Sequence, residues 1–254
     1  MKVISFYLKG KMAHFRRFYS NSSSLTYSIP PRTTLAGIIA GLLGWERDSY
    51  YDLFSLQSCR LAVAAATPIK KSVQTLNLLK VESVNELNAS SGFHTQTATE
   101  FIFPFNIRSG CVTYQVWFHH ENADIMEQLE NLLDQKGPTY GSRGIALALG
   151  TAYNLGWIEY AGALKGEEYA AGKYYEVIHS AMPRENLANI SLKDMVKNEY
   201  RLVREELPLE FDQNRSITAH SLRNMIFDMN GNPIPAEVTR YIRLDNRQCI
   251  TWME

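Results

Sequence analysis

The chain of 254 residues has few cysteines and no long apolar run. Its three cysteines, Cys59, Cys111 and Cys249, lie far apart and form no CxxC pair, so neither a disulfide framework nor a zinc site is indicated. No apolar run reaches the roughly 18 to 20 residues that a membrane-spanning helix needs, and the N-terminal apolar stretch is too short for a signal peptide. We therefore expect a cytoplasmic protein that does not associate with membranes.

The sequence also lacks the motifs of most enzyme classes. It contains no GxxxxGK[ST] phosphate loop, no HExxH helix and no GxSxG elbow. Its six histidines are scattered, and no metal-ligand spacing recurs among them. We expect neither a metal ion nor another cofactor.

Acidic residues are missing from the start of the chain, where the first one is Glu46. Residues 1–80 hold eleven basic and three acidic residues, a net charge of +8, whereas the remaining 174 residues hold 15 basic and 23 acidic ones, a net charge of −8. Such an asymmetry favours a face that binds a polyanion and an opposite face that meets basic proteins. The alternative is a fold that mixes the two halves and cancels their charges.

The apolar periodicity predicts an α+β protein. Strands are expected at residues 2–9, 60–67, 111–118 and 155–160, because apolar residues alternate there. Two amphipathic helices are expected, one capped by Thr33 or Thr34 and ended by Gly44, and one capped by Asn122. The order strand, helix, strand, strand, helix, strand is the ferredoxin-like (RRM-like) arrangement, here in a modified form.

Two segments extend this minimal domain. Residues 69–100 form a polar insertion with extended ends, which predicts a projecting β-hairpin inside a first domain of residues 1–162. Residues 163–254 predict a smaller, β-rich C-terminal module packed on that domain, with strands near 174–180, 200–206 and 238–252.

The segment from residue 9 to residue 19 alternates cations with aromatic rings, a combination that follows a nucleic-acid backbone and stacks on bases. It is equally compatible with a solvated loop whose aromatic residues belong to the core. A glycine-rich loop at 137–144 contains Arg143, whose neighbouring backbone amides could meet a phosphate, although such turns are often structural. We predict that RNA is bound by Lys9, Lys11, His14, Arg16, Arg17, Tyr19, Arg32 and Arg143.

Residues 10–16 and 25–44 resemble the N-terminal signature of the Cas-five family of CRISPR-associated proteins, which are RAMP-type subunits of type I Cascade complexes. Pro138–Gly141 with Leu149 and Gly150 is similar to the family's second glycine motif. Residues 206–212, Arg215 and residues 230–233 resemble the C-terminal region of its type I-B (Hmari-like) branch.

The resemblance implies a ferredoxin-like domain with a thumb hairpin. It further implies a non-catalytic subunit that grips the 5′ handle of the CRISPR RNA and contacts the Cascade backbone subunit. The same subunit would dock the large, PAM-reading subunit for antiviral interference. Target DNA would therefore be only an indirect partner of this chain. In the type I-C branch, by contrast, the homologue cuts precursor RNA without a metal.

The alternative function is therefore a metal-independent endoribonuclease. In such an enzyme a His or Tyr would activate the ribose 2′-hydroxyl and a Lys would stabilise the phosphorane. The candidate residues are Lys11 with His14, and the pair His119 and His120, but no local motif forces them together. A third possibility is an unrelated RNA-binding subunit with no preference for the handle.

Overall fold

The computed structural model describes residues 1–18, 24–77, 84, 96–143, 145–170, 174–196, 199–214, 216–218 and 221–254. Within these residues, the first half of the chain contains β1 (Lys2–Gly10), β2 (Phe15–Arg16), β3 (Thr26–Tyr27), α1 (Arg32–Leu42), β4 (Cys59–Ala65), β5 (Ile69–Asn77), β6 (Gln96–Pro104), β7 (Val112–His120) and α2 (Ala123–Leu133). The second half contains β8 (Gly141–Ser142), β9 (Ile145–Ala146), β10 (Gly156–Ala170), β11 (Glu176–Ile178), β12 (Met182–Pro183), β13 (Leu187–Ile190), β14 (Leu202–Pro208), β15 (Leu222–Asp228), β16 (Ile234–Val238), β17 (Arg240–Leu244) and β18 (Cys249–Ile250).

Four strands form the centre of the molecule in the order β10, β1, β7, β4, and each pairs antiparallel with its neighbour. The alternation along β1 separates the two faces of this sheet. Ile4, Phe6 and Leu8 are buried in the main core together with the apolar residues of α1 and α2. Val3 instead belongs to a second cluster with Trp117 and Trp252. The sheet is therefore covered on both faces.

The two helices begin in different ways. The side chain of Asn122 accepts a hydrogen bond from the backbone N–H of Asp124, the N-cap that the sequence predicts for α2. Helix α1 begins at Arg32, directly after Pro31, with no side-chain cap and no acidic residue in its first turn. Gly44 follows the end of α1 with a φ of 77°, a left-handed conformation that favours glycine.

Strands β5 and β6 pair antiparallel from Ile69 with Pro104 to Asn77 with Gln96. The expected tip around residues 90–92 lies outside the described residues, as does Tyr19. Lys71 on β5 and Thr26 on β3 are joined by a hydrogen bond of 2.9 Å. The base of the hairpin thus lies beside the loop that follows β1.

The C-terminal strands extend the central sheet. Strand β10 pairs with β1 through residues up to Lys165 and with β17 from Gly166 onward, so it runs through the expected boundary between residues 162 and 163. Together these strands form a nine-stranded sheet in the order β13, β16, β11, β18, β17, β10, β1, β7, β4. Strands β14 and β15 contribute Leu207 and Phe227 to the main core. The α+β class predicted from the sequence is confirmed.

Candidate nucleic-acid interface

The predicted binding loop at residues 9–19, which we call the basic loop, starts at the end of β1. Its first two cations have different surroundings. Lys9 forms an ion pair of 2.5 Å with Glu159 on β10, and its Nζ lies 5.7 Å from the centre of the Tyr7 ring. Lys11 is exposed and donates to the carbonyl oxygen of Gly110 at 3.3 Å. The positive charge of Lys9 is therefore largely neutralised by Glu159, whereas the side chain of Lys11 faces solvent.

His14 is buried and fixes the loop to its neighbours. Its Nδ1 lies 2.7 Å from the carbonyl oxygen of Glu100, and its Nε2 lies 2.9 Å from the hydroxyl of Ser24. Burial lowers the pKa of His14 below its ordinary value of 6.5, so the neutral ring, which donates to Glu100 and accepts from Ser24, is favoured. His14 therefore positions the loop as a neutral side chain.

Gly150 explains how the second glycine motif meets this loop. Its φ is 94°, and a Cβ atom built there would lie 1.9 Å from the carbonyl oxygen of His14. The preceding Leu149 accepts a hydrogen bond of 3.0 Å from the backbone N–H of His14. Only glycine permits this close approach, so the two motifs seen in the sequence pack directly against each other.

Arg17 lies in a buried ion cluster around Glu205 of β14. The Glu205 carboxylate is 7% exposed and accepts from Arg17 at 3.0 Å and from Lys71 at 2.7 Å. It also accepts from the backbone N–H and the hydroxyl of Ser28, both at 2.8 Å. One carboxylate thus joins the basic loop, the base of the β5–β6 hairpin and the segment that leads into α1. Arg16, the preceding residue, is exposed.

Arg32 lies in the interior, although we predict from the sequence that it binds RNA. Its residue is 2% exposed, and its guanidinium donates to the carbonyl oxygens of Leu209, Phe54, Ser55 and Cys59 at 2.7 to 3.0 Å. A guanidinium has five N–H donors, so it can donate to several carbonyl groups at once. In this conformation Arg32 joins the start of α1 to two loops.

Other cations cluster at the surface beside the hairpin base. Lys70 on β5 lies 5.5 Å from the centre of the ring of Phe105, which is 62% exposed, and Arg108 is exposed in the same loop. Lys11 reaches this loop through its bond to Gly110. Among the described residues, Lys11, Lys70 and Arg108 have no carboxylate partner. We call these three residues the outer cations.

The outer cations lie where two acid-free stretches of sequence meet. No acidic residue occurs in residues 1–45 or in residues 101–120. The backbone of Ala13 exchanges two hydrogen bonds with that of Ile102, at 3.0 and 2.9 Å, which places the two stretches side by side. The charge pattern of the first 80 residues did not indicate the second stretch. A count of acids along the chain would have found it, but only the fold shows that it adjoins the first.

Arg143 lies on the turn between β8 and β9 with a φ of 49°, and it is exposed. Its side chain lies against Gly44, where any Cβ atom would clash with it at 2.2 Å. The glycine-rich loop therefore packs against the end of α1.

His119 and His120, the second pair considered for catalysis, are far from the basic loop. His119 Nδ1 lies 2.8 Å from the carbonyl oxygen of Lys2, at the start of β1, whereas Lys11 and His14 follow its end. Nine residues of β-strand span roughly 27 Å. His120 is buried, with its Nε2 2.8 Å from the carbonyl oxygen of Leu53. The two candidate groups lie at opposite ends of β1.

Within the part of the chain that the structure describes, no cluster of three or more His, Cys, Asp and Glu residues could hold a metal ion. The described helices are also too short or too polar to cross a membrane.

The fold and the cationic surface define an α+β protein with a basic edge beside a β-hairpin. A CRISPR protein from Archaeoglobus fulgidus, known from a crystal structure, has a similar fold, with a TM-score of 0.59 over 98% of each chain and 10% sequence identity. A chain of a CRISPR RNA-guided surveillance complex aligns over 97% of this chain and 93% of its own, with 14% identity and a TM-score of 0.41. The comparison with curated proteins finds no match.

Residues 3–124 match the family model described as CRISPR-associated protein (Cas_Cas5). This region contains β1, the basic loop, α1 and the β5–β6 hairpin. The resemblance to the Cas-five family is therefore confirmed over residues 3–124.

Proposed function

We propose that this chain is a non-catalytic subunit of a type I CRISPR surveillance complex that binds and caps the 5′ handle of the CRISPR RNA. The observation that carries the proposal is the meeting of two acid-free stretches at the outer cations. Cations without internal partners are the ones available to phosphates, and the exposed ring of Phe105 beside Lys70 offers a surface for base stacking.

Lys11, Arg16 and Arg143 remain in the proposed interface, together with Lys70 and Arg108, whereas the charges of Lys9 and Arg17 are paired with Glu159 and Glu205. His14 and Arg32 act on it indirectly, because their buried hydrogen bonds hold the loop and the start of α1 in place. We assign the four central strands and two helices to a modified ferredoxin-like domain, which their connectivity and antiparallel order support. The β5–β6 hairpin would be the thumb that contacts the backbone subunit, with the large subunit docking elsewhere on the chain.

The absence of catalysis is part of the proposal. A cutting site needs a base and a cation held within about 3 Å of the reacting groups. His14 is only 1% exposed, and the candidate histidines lie at opposite ends of β1. Type I-B membership rests on the resemblance of residues 206–212 and 230–233 alone.

The test replaces Lys11, Lys70 and Arg108 together by alanine and measures the affinity for a 5′-handle RNA at several salt concentrations. We expect affinity to fall at least about tenfold and the slope of log K against log salt to flatten by roughly 2, since each phosphate contact with single-stranded RNA contributes about 0.7. Incubation of the wild-type protein with precursor repeat RNA in EDTA should leave that RNA intact.

The matched control replaces three exposed lysines elsewhere, Lys136, Lys165 and Lys193, and so removes the same charge. It should leave affinity and slope nearly unchanged. Equal effects of the two triple variants would show that only net charge matters and would contradict the interface. A 2′,3′-cyclic phosphate product would contradict the non-catalytic assignment.

A further inference from the structure

A cavity of about 230 Å³ opens at the start of α1, away from the outer cations. Three parts of the chain enclose it: the first turn of α1, the loop at residues 50–54 and the segment that follows β14. Aromatic side chains form much of its wall, namely Tyr50, Tyr51, Phe54 and Phe211. Pockets for drug-sized molecules begin at roughly 300 Å³, so this one suits a single flat ring system.

One side of the cavity offers hydrogen-bond donors. The carbonyl oxygen of Pro31 accepts from the backbone N–H groups of Thr34 and Leu35, but among the described residues the N–H of Thr33 has no partner. Arg32 also lines the cavity, and its guanidinium, in a residue that is 2% exposed, adds positive charge behind this N–H group. The positive end of the helix dipole adds to this preference for an acceptor atom.

The other side offers a carboxylate. Glu210 lines the cavity, and its Oε1 accepts a hydrogen bond of 3.2 Å from the backbone N–H of Leu56. Its second oxygen has no protein donor among the described residues. The cavity therefore combines flat aromatic walls with a carboxylate acceptor and one unpaired N–H donor.

We propose that this cavity binds a guanine base of single-stranded RNA. Guanine presents N1–H and the N2 amino group side by side, which match a carboxylate, and its O6 matches the N–H of Thr33 at the start of α1. The other bases cannot offer a carboxylate two adjacent N–H donors on one edge while also presenting an acceptor beside them. The aromatic walls would stack on the ring.

The inference rests on the proposed function, because the base belongs to an RNA that the interface already holds. Glu210 follows Glu205, the centre of the buried ion cluster, by five residues, so the two lie at most about 18 Å apart. A few nucleotides of extended RNA cover that distance. The cavity would thus read one base near the proposed interface.

The test compares short oligouridylates that carry one guanosine, one inosine or one adenosine at the same central position. Inosine lacks only the N2 amino group of guanosine. We expect the wild-type protein to prefer guanosine over inosine by about tenfold, the value of one hydrogen bond to a charged group. In Glu210→Gln this preference should collapse, whereas in Glu206→Gln, an exposed carboxylate four residues earlier, it should persist.

Each outcome bears on one of the two assignments. Equal binding of the three oligonucleotides by the wild-type protein overturns the guanine pocket and leaves the handle-binding proposal standing, and this comparison needs no variant to fold. A guanosine preference that survives in folded Glu210→Gln places the base elsewhere. A protein that binds neither these oligonucleotides nor a handle RNA contradicts the proposed function itself.

Discussion

The basic residues of the first 80 positions include one group that is bonded inside the protein and another that lies at its surface. The inner cations, Arg17, Arg32 and Lys71, bond to the Glu205 carboxylate or to backbone carbonyl oxygens. Of the outer cations, Lys11 and Lys70 belong to these positions, and they lie at the surface beside the base of the β5–β6 hairpin. Further early bases pair with acids from the second half of the chain, as Lys2 does with Glu130 and Arg60 with Glu168. The positive charge of the first 80 residues is therefore larger than the positive charge that remains at the surface to bind RNA.

We expect the largest effect of a substitution at Arg32, one of the inner cations, where it lowers the free energy of unfolding. In Arg32→Leu the carbonyl oxygens of Leu209, Phe54 and Cys59 lose their donor, and the free energy of unfolding should fall by at least about 3 kcal/mol, because unpaired buried polar groups cost about 1–3 kcal/mol each. Urea denaturation measures this change. The control Arg47→Leu alters an arginine whose side chain is 77% exposed and should change stability by less than about 0.5 kcal/mol. Similar losses in both variants would contradict the interior role of Arg32.

A smaller effect is expected at Glu205. Glu205→Gln weakens the attraction to Arg17 and Lys71, and we expect a stability loss of about 1–2 kcal/mol. Each of these cations that then contacts a phosphate should steepen the salt dependence of RNA binding by about 0.7. Glu206→Gln, at the exposed neighbouring position, should change neither quantity. An unchanged salt slope in Glu205→Gln would show that the carboxylate does not hold these cations away from RNA.

The smallest effect concerns pH. Burial lowers the pKa of His14, His119 and His179 in the folded state, so the unfolded chain binds more protons once pH falls below the ordinary value of 6.5. Stability should therefore be complete above that value and decline as pH is lowered from about 7 to about 5.5. Denaturant titrations at both pH values measure the decline.

The same pH range tests whether His14 belongs to the inner region. A neutral, buried His14 adds no charge to the interface, so handle affinity should not rise as pH is lowered through this range. An increase in affinity with acid that is lost in His14→Gln would make His14 a phosphate ligand instead.

Local patterns predicted the elements well where one face is clearly apolar. Strand β1 was expected at residues 2–9 and occupies Lys2–Gly10, and α2 starts after Asn122 as its cap predicts. The cap of α1 was expected at Thr33 or Thr34, two or three residues late, because Pro31 rather than a threonine precedes its first turn. The region expected as one strand at 238–252 consists of the end of β16 followed by β17 and β18, since turns interrupt the pairing.

Sequence alone determined the elements, the α+β class, the family resemblance and the basic character of the first loop, because each of these depends on residues that are near one another in the chain. Tertiary structure decided which cations remain available. Glu205 lies 188 residues after Arg17, and the carbonyl of Leu209 lies 177 residues after Arg32. Electrostatic and hydrogen-bonding partners at such separations are set by how the sheet and hairpin pack, and no local pattern records them. The same packing joined residues 1–45 to residues 101–120 and produced the surface where we propose that RNA binds.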